Sequence, residues 1–255
     1  FFFGRKKVVN DIQQKLDLAK FVPIIGASGS GKSSVVRAGL IPQLDDSEWQ
    51  VLEPIKPGFE PLIKLRGAFQ QFFPGARKEK QLKDLIDNEQ NNLSAILENL
   101  PSSVKLLLVV DQFEEVFTGG ASQQEKQRFI DLLTQVVEIT DSRLAVVITM
   151  RADFLEPCLQ YPSLTQLIQT QAVYMPPLTG VDLKDTIAEP AKLQGHSVEE
   201  GLLLKILEDV KQEPGFLPLL EFALTKLWEK RDRNQHQLTL EEYEKLGGLT
   251  GALDI

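Results

Sequence analysis

The chain has 255 residues, 42% of them hydrophobic and 25% charged, with one cysteine, Cys158. These numbers exclude a disordered chain, a fibre and an internal disulfide framework, and the single cysteine suits a reducing, cytoplasmic setting. Apolar runs such as Leu106 to Val110 fall far short of the roughly 20 residues that span a bilayer, and no signal-peptide pattern opens the chain. The net charge of −8 is unevenly spread: residues 1–83 hold 14 Lys and Arg against 8 Asp and Glu, the rest 14 against 28. An acidic chain argues against a general nucleic-acid coat, while its basic first third suits a smaller anion.

Val8, Val9, Ile12 and Leu16 sit at helical spacing, so Arg5 to Lys20 is expected to be an amphipathic helix. Phe21 to Ile25 reads as a short apolar strand, followed by a glycine-rich turn and a helix from about Lys32 to Leu40. Trp49 to Ile55 reads as a second strand, closed by Lys56-Pro57-Gly58. Glu60 to Leu100 is expected to be helical in pieces, broken at Pro74-Gly75. Lys105 to Asp111 reads as a buried strand, five aliphatics and then a carboxylate, with Val104 to Val110 leading into Asp111. Gln123 to Ile139 is a helix with Phe129, Leu132, Leu133, Val136 and Val137 on one face. Leu144 to Met150 and Ala172 to Met175 complete the strands. Short apolar strands alternating with helices indicate a parallel sheet covered on both faces. After Pro176 the pattern is helices only: Val181 to Leu193, Leu202 to Val210, Leu219 to Trp228 and Leu240 to Leu246. The opening at Phe1, without methionine, reads as a piece of a longer protein.

The strongest chemical signal is Gly26-Ala27-Ser28-Gly29-Ser30-Gly31-Lys32-Ser33. It fits G-x-x-x-x-G-K-[ST] between an expected strand and an expected helix, the context that a phosphate-binding loop requires. Glycines let the backbone turn tightly and aim N–H groups inward, and the following helix adds its unsatisfied N–H groups. Gly26, Ser28, Gly29, Ser30, Gly31, Lys32, Ser33 and Ser34 are the expected nucleotide contacts. Lys32 supplies a mobile charge for the β- and γ-phosphates, and Ser33 a hydroxyl for Mg²⁺. The spacing is not that of a dinucleotide fingerprint.

Asp111, at the C-terminal end of a buried parallel strand, is placed to hold Mg²⁺ with Ser33. Glu114 and Glu115 follow it. One of them is expected to polarise the attacking water, Glu114 being preferred. Arg151 leaves the Leu144 strand at the same sheet edge and is expected to reach a γ-phosphate, or else to pair with Asp153. Asp153 reads as a helix cap.

Together these residues resemble the STAND class of P-loop NTPases within the AAA+-like group. The likeness is greatest to the bacterial novel STAND NTPase domains often found ahead of WD-type repeats. It rests on Phe2-Phe3-Gly4-Arg5, the loop through Ser34, Val110-Asp111-Gln112-Phe113-Glu114-Glu115 and Thr149-Met150-Arg151-Ala152-Asp153-Phe154. It continues through Glu189-Pro190-Ala191, Gly215-Phe216-Leu217-Pro218-Leu219-Leu220-Glu221 and Gly247-Gly248-Leu249. The resemblance implies a five-stranded sheet with the Leu144 strand between the P-loop and Asp111 strands, then a helical domain and the start of a winged helix. The corresponding ranges are 1–177, 178–238 and 239–255. It implies that Phe3, Gly4 and Arg5 line the adenine pocket and that Pro218 folds over the nucleotide, although one extra residue separates Gly215 from Pro218. Lys6 and Lys7 stand where the family usually has a glutamate. It also implies a switch: ADP holds a closed form, ATP opens it for self-association, slow hydrolysis resets it, and the linkage near Pro177 moves. Repeat or effector domains are then expected outside this chain, with neither membrane nor nucleic acid as partner.

Other readings remain beside the switch. A small-molecule kinase would want an arginine-bearing lid and an acceptor pocket, neither of which is evident. An AAA+-like DNA-linked ATPase would want a basic groove, and an ADP-locked scaffold would bind without turnover. His196 and His236, far apart among polar neighbours, are expected to be solvated, which leaves little for zinc. Cys158 and Trp228 read as core residues. Tyr161-Pro162 reads as a turn, and the basic run Arg77, Lys78, Lys80, Lys83 as a solvated helix.

Overall fold

The computed structural model describes residues 2–88, 90–91, 93–100, 105–139, 143–212, 215–232 and 234–251. Val104, the first residue of the apolar run leading into Asp111, and residues 252–255 at the end of the expected winged helix lie outside them. The chain divides into an α/β unit, Val8–Gly26 with Lys32–Met175, and a helical unit, Phe1–Lys7 with Ala27–Gly31 and Pro176–Ile255.

In chain order the first elements are α1 (Lys6–Leu18), β1 (Phe21–Gly26), α2 (Lys32–Ser34), β2 (Trp49–Val51), α3 (Pro61–Phe69), α4 (Ala76–Asp87) and α5 (Leu93–Leu97). Next come β3 (Lys105–Val110), α6 (Glu115–Thr118), α7 (Gln123–Thr134), β4 (Leu144–Arg151), α8 (Leu155–Cys158), α9 (Pro162–Gln171) and β5 (Val173–Tyr174). The five strands form one parallel sheet in the order β2-β3-β4-β1-β5. Every residue of β1 is buried, as are all of β3 after Lys105 and all of β4 before Arg151. Burial of consecutive residues means that both sheet faces are covered, which is why these strands are nearly continuous apolar runs rather than alternating ones. Each buried Val, Leu, Ile, Phe or Met side chain among them contributes about 1.5–3 kcal/mol of transfer free energy.

Register sets the working edge. Gly26 pairs with Arg151 and Val110 with Ile148, so the last residues of β1, β3 and β4 lie together at one edge of the sheet. The expected strand Trp49 to Ile55 is ordered as β2 plus one bridge from Ile55 to Val110. Pro54, which has no N–H to give, lies in the gap.

The helix expected from Lys32 to Leu40 is α-helical only through Ser34. Residues Val35–Leu40 widen into π-helical turns, with the Ile41 N–H reaching the Val36 carbonyl. Ser122 caps α7 through a reciprocal bond pair with Glu125. Tyr161-Pro162 is not a free turn: Tyr161 caps α9 and Pro162 is its first residue, where a missing N–H costs nothing. Asp153 is not a cap either; it lies within the single 3-10 turn Ala152–Phe154, capped by Arg151. Cys158 is buried beside Met150 Sδ at 3.5 Å, and burial pushes its thiol up to about 12. The basic run sits exposed on α4, whose Leu82 and Ile86 face the core.

The helical unit contains α10 (Gly180–Leu193), β6 (Ser197–Val198), α11 (Glu200–Asp209), α12 (Leu217–Glu229), β7 (Gln237–Leu238), α13 (Leu240–Lys245) and α14 (Gly248–Gly251). Leu183, Ile187 and Ala191 of α10 meet Leu202 and Ile206 of α11 and Leu220, Ala223 and Leu227 of α12 in one core. Tyr243 is fully buried in it and donates to Asp209 Oδ2 at 2.9 Å. Burial and that carboxylate both raise the phenol's pKa, keeping the donor protonated.

Helices alone do not describe this unit. β6 and β7 pair in parallel, Ser197 opposite Gln237 and Val198 opposite Leu238. The pairing brings together the two histidines expected to lie apart. The His196 and His236 rings meet edge to face at 5.1 Å, and His196 packs on Trp228 at 4.8 Å. Trp228 is half-buried and packed against the helical unit's core, with the Arg231 guanidinium 4.3 Å from its ring. Among the described residues no group of three or more His, Cys, Asp or Glu is placed to hold a metal ion. No helix among them is long and apolar enough to cross a membrane.

Candidate functional site

At the C-terminal edge of the sheet, β1 ends in Gly26 and the chain returns at Lys32, the first residue of α2. Lys32 folds back so that its Nζ donates to the Gly26 carbonyl at 3.0 Å, and the residue is buried. Burial lowers its pKa, opposed chiefly by the Glu114 carboxylate, with smaller opposing contributions from Asp153 and Asp111 and a lowering one from Arg151. The ammonium group is thus among carboxylates at the strand ends. A phosphate group brought there would meet a cation already partly stripped of water.

Asp111, the residue after β3, is buried and faces three donors. Its Oδ1 accepts from the Ser33 hydroxyl at 2.6 Å and the Thr149 hydroxyl at 2.7 Å, and its Oδ2 faces Arg37 Nη2 at 3.0 Å. Gln112, next in the chain, adopts a left-handed conformation with φ of 57°, rare for a residue with a side chain. Two bonds hold it: the Gln112 N–H donates to Thr149 Oγ1 at 2.9 Å, and the Phe113 N–H to the Thr149 carbonyl at 2.8 Å.

That turn separates the two glutamates. Glu114 is buried and accepts the Arg151 N–H at 3.2 Å, which keeps its carboxylate beside the strand ends and Lys32. Glu115 is directed elsewhere, its Oε2 accepting the Gly58 N–H at 3.2 Å. The Arg151 guanidinium is paired, its Nε and Nη2 donating to Asp153 at 3.1 and 2.6 Å. The pair raises the arginine pKa and lowers that of Asp153, each through the bond to the other. Both side chains are largely exposed, so the grip is weak and open to exchange.

In the helical unit, the loop Ala27–Gly31 has Gly29 at φ 68° and Gly31 at φ 86°, left-handed values that favour glycine. A methyl on Gly29 would come within 3.2 Å of the Gly215 carbonyl and 3.4 Å of Pro218, and one on Gly31 within 3.7 Å of Leu217. The segment from Gly215 to Pro218 therefore lies against this loop despite the extra residue between them. The Ser30 hydroxyl is buried with no hydrogen-bond partner among the described residues, an orphan that an added acceptor would satisfy. Ser28 is exposed, as is Ser34 of the α/β unit. Arg5 is buried and spends its guanidinium on backbone, donating to the Pro176 carbonyl at 2.7 Å and the Ser30 carbonyl at 3.1 Å. Gly4 lies so close to α10 that a side chain would overlap the Asp182 carbonyl and the Thr186 hydroxyl, while the Phe3 carbonyl accepts from Thr186 at 3.3 Å.

The family model described as Novel STAND NTPase 1 matches residues 1–255. The chain belongs to this family. It is accordingly a P-loop NTPase of the STAND type, an ATP-binding class within the AAA+-like group. No curated protein sequence matches it. Among solved structures it is similar to a Walker-type ATPase of Pyrococcus abyssi, at 15% identity and a TM-score of 0.58, covering 99% of this chain and 71% of that one. It is also similar to Cdc6p from Pyrobaculum aerophilum (16% identity, TM-score 0.61, 94% of this chain and 65% of that). The ORC1 protein of Aeropyrum pernix, described in complex with DNA, matches at 14% identity with a TM-score of 0.63, covering 96% of this chain and 65% of that. The chain thus spans slightly under two-thirds of the length of the latter two, and at these identities the likeness is one of fold.

Two residues that donate to Asp111 went unassigned in the sequence, Thr149 near the end of β4 and Arg37 in the helical run after Ser33. A hydroxyl near the end of an otherwise apolar strand was the available signal for the first. Helical spacing from Ser33 was the signal for the second. For Mg²⁺, the donor set fits: a hydroxyl and a carboxylate, both hard oxygen ligands, stand side by side on Ser33 and Asp111.

Proposed function

We propose that this chain binds ATP and ADP with Mg²⁺, hydrolyses ATP slowly, and serves as a nucleotide-controlled switch within a larger protein. The observation that carries the proposal is the Lys32, Ser33 and Asp111 constellation at one sheet edge, with Ser33 Oγ 2.6 Å from the Asp111 carboxylate. Lys32 would leave the Gly26 carbonyl for the β- and γ-phosphates. Ser33 and Asp111 would hold Mg²⁺, which when bound would neutralise charge on the phosphate oxygens. Glu114 is our choice of general base, taking a proton from the attacking water at its carboxylate. Glu115, engaged with Gly58, is the weaker candidate. Arg151 would exchange Asp153 for the γ-phosphate and so distinguish ATP from ADP. Phe3, Gly4, Arg5 and Pro218 would serve the adenine end.

A contact made only with the γ-phosphate is what a two-state switch needs, because a ligand shifts an equilibrium only by its differential affinity for the two states. Self-association in the ATP state, repeat or effector domains beyond this chain, a bacterial source, a cytoplasmic setting and the division 1–177, 178–238 and 239–255 belong to the same proposal. Calorimetry tests its base: wild-type chain binds ADP with Mg²⁺ and Lys32→Ala does not. Unchanged affinity in the variant would remove the site.

A DNA-linked ATPase is the second reading, favoured by likeness to an ORC1 protein described with DNA. The acidic net charge weighs against it. Stimulation of ATP turnover by duplex DNA would select it over the switch.

A further inference from the structure

We infer that Arg37 is the resident counter-ion of Asp111 and that a divalent cation enters the site by displacing it. The inference deepens the proposed function and rests on its assignment of Asp111 as a metal-holding carboxylate.

The two oxygens of Asp111 are unlike. Oδ1 is fully engaged by hydroxyl donors from Ser33 and Thr149, at 2.6 and 2.7 Å. Oδ2 faces the Arg37 guanidinium at 3.0 Å. The edge of the carboxylate on which a second cation could settle is therefore already occupied by one. Burial differs as sharply: the Asp111 side chain is 3% exposed, whereas that of Arg37 is 54% exposed. A buried carboxylate with no cation beside it is costly, so Arg37 meets a need of the fold before any ligand arrives. Its own exposure means that it can swing into water at little cost.

The connection between the two cations lies in the chain. Ser33 and Arg37 are four residues apart on one helical run, and that run is α-helical at Ser33 and π-helical at Arg37. The segment that offers a hydroxyl to the metal thus also offers the cation that stands in for it. A guanidinium and a divalent ion cannot share Oδ2 without strong like-charge repulsion. Metal entry becomes an exchange, and the site holds a divalent ion weakly until phosphate charge is added on the same side. Arg37 in this way ties retention of the metal to retention of the nucleotide.

The test uses Mn²⁺ as probe, counted by the electron paramagnetic resonance of the free ion, on the nucleotide-free chain. Arg37→Met keeps the aliphatic stem, and Arg37→Gln is a second neutral variant should one of them melt early in a thermal scan. Both are expected to bind Mn²⁺ about three- to ten-fold more tightly than wild type, the scale of a half-exposed ion pair to a buried carboxylate. Adding Asp111→Asn to either is expected to remove the gain. Mn²⁺ affinity that is equal or weaker in both variants overturns the inference, and so does a gain that survives Asp111→Asn. Because no nucleotide is present, failure of nucleotide binding by the wild type would strike the proposed function and leave this result standing.

Discussion

Thr149→Val is the most exacting substitution that the site offers. The change keeps the shape of a residue 1% exposed and removes only its hydroxyl. That hydroxyl donates to Asp111 Oδ1 at 2.7 Å and accepts from the Gln112 N–H at 2.9 Å. A bond to an ionised carboxylate is worth about 1.5–3 kcal/mol, and an orphaned part-buried N–H costs about 1–3 kcal/mol. The two share one atom and do not simply add, and Asp111 keeps Ser33 and Arg37, so a loss of about 3 kcal/mol is expected. Gln112 adds to it, since its left-handed backbone is held from both sides by Thr149. Urea denaturation measures the loss. Trp49 and Trp228 are the two indoles of the chain, so a Trp228→Phe background leaves Trp49 to report on the α/β unit. Thr149→Ser should recover most of the loss, because the hydroxyl returns without the methyl. A valine variant within about 0.5 kcal/mol of wild type, the range of an ordinary surface change, would refute the clamp.

Two predictions concern turnover and nucleotide choice. Glu114→Gln should lower ATP turnover by about 10²–10⁴-fold with nucleotide affinity retained, as loss of a general base does. Glu115→Gln should leave turnover nearly intact while amide hydrogen exchange quickens at Gly58, and the reverse outcome would exchange the two roles. Arg151→Ala should erase a preference for ATP over ADP, and Asp153→Ala, which frees the guanidinium, should enlarge it. A difference of about five-fold or more between the two variants is the least that a switch of this kind requires, and equal discrimination would leave Arg151 a loop-shaping residue.

Legibility in the sequence depends on how local the cause of each feature is. β1, β3 and β4 were legible because a strand buried on both faces is apolar along nearly its whole length, and each is such a run. β6 and β7 were not, because two residues carry no period and their pairing depends on the remote fit of Ser197 to Gln237. The histidine pair was lost with them. Tyr161-Pro162 is ambiguous in principle: proline is as acceptable at the first position of a helix as in a turn, and only the residues after it decide. The widening of the chain after Ser34 has no compositional mark, since Val35–Leu40 reads as ordinary helix.

The site divides along the same line. Lys32 and Ser33 are fixed by their spacing from the glycines before them, and Asp111 by its place after an apolar run, so all three lie within reach of a linear reading. The forces that aim them are non-local. Thr149 meets Asp111 because Val110 pairs with Ile148, which sets the next residue of each strand side by side. A register slipped by one residue would turn Thr149 to the opposite face and bring Met150 to that position. The Asp111 clamp, the left-handed Gln112 and the parting of Glu114 from Glu115 would all be lost with that single step. The chemistry of the carboxylates thus depends on aliphatic packing between β3 and β4 as much as on the carboxylates themselves. A change there, such as Val146→Ala in the fully buried centre of β4, tests the dependence from a distance.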